Sequence, residues 1–163
     1  MLFDTRPNKS GFEERRRNGR VAGKNLLQML NEIPNGSDND TLFIVAHSMG
    51  YAYALGIIDE VRGKISFGDF IIVAPENASA GSVNQEEWMN VWQYGSDFDK
   101  LRTNTPCLLD GVAPQTIAGG LGRRQFVGIP DGVKQGFFDS HFIGYYTWIF
   151  DIPKEQKGYI PQR

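Results

Sequence analysis

The stretch TLFIVAHSMGYAYALG, residues 41–56, contains the strongest structural signal in the sequence. Its first six residues, 41–46, are apolar or β-branched without interruption, which is typical of a strand buried on both faces of a parallel sheet. After the turn HSMG, residues 47–50, a helical pattern follows and ends at Gly63. A buried strand that runs through a short turn into a helix predicts an α/β fold.

The flanking segments extend this pattern to the rest of the chain. Apolar side chains at three- and four-residue steps predict a helix over residues 10–33, which opens on an S-x-x-E capping pattern. Further strands are predicted at residues 70–74, 88–94 and 124–129, and a final aromatic helix at residues 141–150. The sequence therefore predicts one domain, residues 1–163, with three layers (α/β/α) around a mostly parallel sheet.

Composition restricts the classes of function. The 163 residues contain 17 Lys+Arg and 19 Asp+Glu, so nothing indicates a nucleic-acid partner, and the basic cluster between Arg15 and Arg20 is interpreted as a solvated helical face. No apolar run approaches the roughly 20 residues of a membrane span, and no signal peptide is visible, which leaves the cytoplasm as the default expectation. The single Cys107 excludes an internal disulfide and a cysteine-based metal cluster, and no cofactor is predicted.

Ser48 lies in the pattern of a nucleophile elbow. It stands between a strand and a helix, and the residues two positions away on each side, Ala46 and Gly50, are small. We expect small residues there because the tight turn brings helix and strand close together. The turn exposes the serine hydroxyl and directs the first helical N–H groups, Met49 first, towards a developing oxyanion. The alternative interpretation is an ordinary turn whose serine caps the helix.

A serine hydroxyl is a poor nucleophile unless a base takes its proton. Only two histidines are present. His47 is adjacent to Ser48, but neighbouring side chains on a turn point in different directions. His141 comes late in the chain, where α/β-hydrolases carry their base, and is the predicted base. The alternative is a structural histidine that caps the last helix.

The acid of a triad should lie between Ser48 and His141, at the end of a strand. Asp97, in the segment YGSDFD, is the first choice because it comes just after a predicted strand. Asp99 on the same loop and Glu76 after the preceding strand remain alternatives. Weaker candidates are Asp110, Asp131 and Asp139.

Together, the segments AHSMG, FIIVAPENASAG, YGSDFD and SHF resemble the lipase and esterase branch of the α/β-hydrolase superfamily, over residues 41–151. AHSMG is the most specific of them. The resemblance implies a Ser48–His141–Asp97 triad with the Met49 amide in the oxyanion hole. It implies cleavage of a small-molecule or lipid ester through an acyl-serine intermediate, without metal or cofactor. Aromatic residues near these loops are interpreted as core rather than as an acyl pocket: Trp88, Trp92, Phe137, Phe138 and Tyr145.

The sequence departs from this family at its start. The family places several strands and a second oxyanion donor before the helix that precedes the elbow, whereas only MLFDTR stands here. This indicates the C-terminal part of a larger hydrolase or a reduced version, with an open sheet edge that a homodimer or a missing N-terminal segment would cover. The other hypotheses are a non-catalytic binding or assembly module on a degenerate scaffold, and a C-terminal lipase-type toxin domain of a larger protein.

Overall fold

The computed structural model describes residues 9–33, 40–95, 117–121, 126–133 and 141–160. These residues form, in chain order, α1 (Lys9–Glu32), β1 (Thr41–His47), α2 (Gly50–Val61), β2 (Ser66–Val73), β3 (Asn90–Tyr94) and β4 (Phe126–Val127). Three 3₁₀ helices complete the described part: Ala78–Ala80, Gln85–Glu87 and Ile143–Asp151, the last of which we call the aromatic helix. The elements follow the predicted order, and the largest displacement is at β2, which begins at Ser66 rather than at residue 70.

The four described strands form one sheet in the order β1-β2-β3-β4, and every neighbouring pair is parallel. The predicted α/β class is thus confirmed. The sequence predicts a mostly parallel sheet, and the described sheet is wholly parallel. Parallel neighbours need a crossover connection, and α2 supplies it between β1 and β2. Because all four strands run in one direction, their carboxyl ends meet at the same edge of the sheet.

Helices cover both faces of the sheet. Side chains alternate along β2, so that Phe70 and Ile72 belong to an apolar cluster with α1 and α2, while Ile71 and Val73 belong to a second cluster that contains Trp148 of the aromatic helix. The sheet therefore lies between two helical layers, as the sequence predicts. Within the described ranges, none of these helices combines the length and apolarity that crossing a membrane requires.

β1 differs from the prediction of a strand buried on both faces. It is one of the two outer strands of the described sheet, and the side chains of Phe43 and Val45 are 41% and 70% exposed. Its other face packs against the helices through Leu42 and Ile44. The apolar run correctly predicts a strand, but it cannot say which strand lies at an edge, because that depends on the strand order of the whole sheet.

The backbones of α1 and α2 lie almost in contact. A Cβ atom on Gly56 of α2 would be 2.0 Å from the carbonyl oxygen of Arg16, and one on Gly19 of α1 would be 2.0 Å from that of Tyr53. A glycine inside a helix costs about 1 kcal/mol relative to alanine. Here the two glycines are required by the approach of the helices, and the buried packing that follows compensates for that cost.

The basic cluster of α1 is only in part a solvated face. Arg16 donates two hydrogen bonds of 2.9 Å to the carboxylate of Asp59 on α2, and Arg20 donates a third of 3.1 Å. Burial raises the pKa of Asp59, but the hydrogen bonds and charges of the two arginines outweigh it and hold that pKa below its ordinary value. These ion pairs join α1 to α2.

Gly56→Ala is expected to lower the free energy of unfolding by at least about 2 kcal/mol, because the added methyl group overlaps the backbone of α1. Gly50→Ala is the matched control in the same helix, since a Cβ there would meet nothing within 4 Å among the described residues. Urea unfolding followed by circular dichroism measures both changes. Equal stability of the two variants would contradict the close approach of the helices.

Asp59→Asn is expected to lower the free energy of unfolding by about 1 kcal/mol near neutral pH. Since the pKa of Asp59 is lower in the folded chain than in the unfolded chain, its contribution is complete above the unfolded value of about 3.9 and is lost as the pH falls through the folded value. The difference in the free energy of unfolding between wild type and Asp59→Asn should therefore become smaller below about pH 4. Urea unfolding at a series of pH values tests this, with the exposed Glu155→Gln as control; a difference that does not change with pH would count against it.

Candidate active site

Ser48 follows the last residue of β1 and has a left-handed backbone, with φ at +57°. This conformation costs about 1–2 kcal/mol for a residue with a Cβ, so the surrounding structure must hold it. On one side, the N–H of Ser48 donates to the carbonyl oxygen of Val73 in β2 at 3.0 Å. On the other side, the carbonyl of Ser48 accepts from the N–H of Tyr51 in α2 at 3.2 Å. A strained turn between strand and helix is therefore present at the predicted position.

The two small residues that flank this turn have different surroundings. Ala46 is buried, with 3% of its surface exposed. Gly50 is exposed, and a Cβ there would meet nothing within 4 Å among the described residues. The steric reason predicted for both positions is therefore wrong for Gly50, because the close backbone approach of α2 occurs farther along the helix, at Gly56.

His141 lies beside Ser48 although 93 residues separate them in sequence. Its Nε2 atom is 2.9 Å from Oγ of Ser48, a distance that permits direct proton transfer. The imidazole is largely shielded from solvent, with 15% of the side chain exposed. The fold thus brings together the two residues predicted as nucleophile and base.

Glu76 is the third polar side chain at this point. Its Oε1 atom accepts a hydrogen bond of 3.0 Å from Oγ of Ser48 and lies 3.8 Å from Nε2 of His141. Glu76 therefore approaches the imidazole at the nitrogen that faces the nucleophile. A triad acid instead orients the imidazole from Nδ1, so the position of Glu76 differs from the one expected of the acid.

The other predicted acids come later in the sequence. Asp97, Asp99, Asp110 and Asp139 lie outside the described residues, and the assignment of the acid to Asp97 stays a prediction. Asp131 is described and exposed, after β4.

A second strained segment carries Glu76 into the site. The backbone is left-handed at Ala74, with φ at +41°, and at Asn77, with φ at +49°. Together with Ser48, these are all the non-glycine residues with positive φ in the described part of the chain, and all three follow the carboxyl ends of β1 and β2. Strain of this kind concentrates at functional sites. The sequence does not predict the left-handed backbone at Ala74, because alanine rarely adopts this conformation.

His47, to which the sequence assigns no role, contacts the backbone of the predicted base. Its Nε2 donates to the carbonyl oxygen of His141 at 2.6 Å, and the centroids of the two rings are 5.0 Å apart. The register of the sheet explains this contact, because His47 pairs with Val73 and so faces the layer of the aromatic helix, which begins two residues after His141. The alternation of side chains between the two faces of β1 is the sequence signal that could have revealed this contact.

The backbone N–H of Met49 lies at the amino end of α2. Met49 immediately precedes α2, and its N–H makes no hydrogen bond in the part of the chain that the structure describes. The amino end of a helix carries a partial positive charge and stabilises anions. This is the arrangement expected of an oxyanion donor.

Three of the five aromatic residues that the sequence assigns to the core are described, and they lie in the apolar clusters; the other two, Phe137 and Phe138, lie outside the described residues. Trp88 is buried and stacks on Phe67 with ring centroids 4.4 Å apart, while Trp92 and Tyr145 pack partly buried against the second cluster. Among the residues that the structure describes, no group of three or more His, Cys, Asp or Glu side chains is placed to hold a metal ion. The hydroxyl of Ser48, the imidazole of His141 and the amide of Met49 are groups suited to acyl transfer.

Ser48→Gly is expected to be more stable than Ser48→Ala by about 1 kcal/mol, because glycine adopts a left-handed backbone without the penalty that a Cβ brings. Ser66, an exposed residue at the start of β2, supplies the control pair. There the order should reverse, with alanine the more stable replacement. Urea unfolding of the four variants gives the comparison, and the same order at both positions would be evidence against a strained turn at Ser48.

Comparison of the chain with protein-family models, with curated proteins and with solved structures gives no significant match. The resemblance to α/β-hydrolases therefore stays a prediction from the residues that carry it, and the case for a function rests on the geometry around Ser48.

Proposed function

We propose that this chain is a serine hydrolase that cleaves a carboxylic ester through an acyl-serine intermediate. The observation that carries the proposal is the 2.9 Å contact between Oγ of Ser48 and Nε2 of His141 at a strained turn between strand and helix. A hydroxyl in this position can pass its proton to the imidazole while it attacks a carbonyl carbon.

In the first half of the reaction, Oγ of Ser48 bonds to the ester carbon and its proton moves to Nε2 of His141. The carbonyl oxygen becomes an oxyanion, to which the amide of Met49 donates. The adduct then collapses, and the departing alcohol takes the proton from Nε2. In the second half, a water molecule gives its proton to Nε2 and attacks the acyl carbon, and Oγ recovers that proton when the carboxylic acid leaves.

Two further features support this proposal. The site lies at the carboxyl edge of a parallel sheet, which is where open α/β sheets bind their ligands. The choice of an ester rests on the resemblance of the AHSMG turn to lipases and esterases. The alternative is a purely structural contact in which Ser48 and His141 only join two segments of the chain, and such a contact would not make the hydroxyl reactive towards an electrophile.

An uncharged fluorophosphonate probe is expected to label wild type once per chain, with the label on Ser48. Ser48→Ala should take up no label, while Ser66→Ala, which removes an exposed hydroxyl at the opposite end of the sheet, should label like wild type. His141→Ala should label at least about 100-fold more slowly, since the hydroxyl then lacks its base. Intact-mass spectrometry and peptide mapping provide the readout.

Circular dichroism of each variant checks that it is folded. A folded wild type that resists the probe while a known serine esterase reacts would exclude the proposed function and favour the non-catalytic alternative. Equal labelling rates in wild type and a folded His141→Ala would remove His141 from the mechanism.

A further inference from the structure

Ser48 faces two groups that can accept its single hydroxyl proton. Its Oγ is 2.9 Å from Nε2 of His141 and 3.0 Å from Oε1 of Glu76. A hydroxyl donates one hydrogen bond, so it can serve either the imidazole or the carboxylate, but not both. An ionised carboxylate is only an acceptor, and the contact of 3.0 Å is favourable when the Ser48 proton lies on the side of Glu76.

This arrangement opposes catalysis. When the Ser48 proton lies towards Glu76, His141 satisfies the same oxygen by donating from Nε2, and it cannot then act as a base. Attack on a carbonyl requires the reverse, with an unprotonated Nε2 that receives the Ser48 proton. A negative charge on the side of the nucleophile also disfavours the oxyanion that forms there.

The charge of Glu76 has no compensating cation within the described residues. The side chain is largely buried, with 14% exposed, and its carboxylate pairs with no lysine or arginine there; His141 is its only ion-pair neighbour, at 3.8 Å. A carboxylate removed from water is costly unless an opposite charge accompanies it. A cationic group on a bound ligand would supply such a charge.

We infer that Glu76 is a specificity-determining residue, which selects ester substrates that carry a positively charged group close to the scissile carbonyl. The inference rests on the proposed function. The cation pairs with the carboxylate of Glu76, the Ser48 proton is released towards His141, and the negative charge near the developing oxyanion is balanced. With an uncharged substrate, Glu76 and His141 still compete for the Ser48 proton. An anionic substrate is repelled by the carboxylate of Glu76.

The test compares nitrophenyl esters of trimethylammonio-alkanoic acids with those of the corresponding tert-butyl acids, which have the same shape without the charge. For each variant, kcat/KM for the cationic ester is divided by kcat/KM for the neutral ester. This ratio is then divided by the ratio of the rates at which hydroxide hydrolyses the same two esters, so that their intrinsic reactivity cancels. Wild type is expected to favour the cationic ester by at least about tenfold. In Glu76→Gln this preference should fall to within about twofold. Glu87→Gln, which removes a carboxylate paired with Arg62 away from the site, should keep the wild-type ratio.

A wild-type ratio near one, or a preference that survives in folded Glu76→Gln, overturns the inference. Labelling of Ser48 by the uncharged fluorophosphonate leaves the proposed function standing in either case. Absence of that labelling removes the proposed function and the inference together. If Glu76→Gln does not fold, wild type still decides: tetramethylammonium chloride should inhibit turnover of the cationic ester more than the same concentration of sodium chloride, and equal inhibition overturns the inference.

Discussion

The left-handed backbone of Ser48 is the constraint on which the arrangement of the site depends. A residue with a Cβ stays in this conformation only where neighbouring structure holds it, and here it is held by the backbone of Val73 in β2 and by the first turn of α2. α2 is in turn fixed against α1 at Gly56, where the two backbones nearly touch. The orientation of the Ser48 hydroxyl is therefore set by the packing of the sheet and helices and not by the sequence of the turn alone.

The effect of a carboxylate on a neighbouring imidazole depends on which ring nitrogen the carboxylate approaches. An acid at Nδ1 lies behind the ring, where it stabilises the imidazolium without facing the substrate. Glu76 lies on the side of Nε2, beside the hydroxyl of Ser48, so in the proposed mechanism its charge acts directly on the substrate and on the position of the Ser48 proton. A carboxylate with this placement is better suited to recognising a substrate than to orienting His141.

Local sequence predicts those parts of the fold that depend on local interactions. The β1–turn–α2 unit, the α/β class and the pairing of Ser48 with His141 follow from hydrophobic pattern, turn chemistry and chain order. The exposed face of β1 at Val45 could not be predicted, because burial depends on the order of strands in the sheet. The sequence names Glu76 as an alternative acid, but its position beside Nε2 of His141 could not be predicted, because it depends on a left-handed backbone at Ala74, which alanine seldom adopts.

Successive residues of one turn also hold His141, the proposed base. Ser48 holds the ring of His141 through Nε2, and His47 holds its backbone through the carbonyl oxygen. The segment that follows His141 docks on the sheet through Trp148 and Ile149, which lie in the second apolar cluster. Because both polar contacts start from the same turn, the hydroxyl of Ser48 and the imidazole of His141 are positioned by one segment of the chain. The proximity that the proposed proton transfer requires is thus a property of the turn, even though His141 comes from far along the chain.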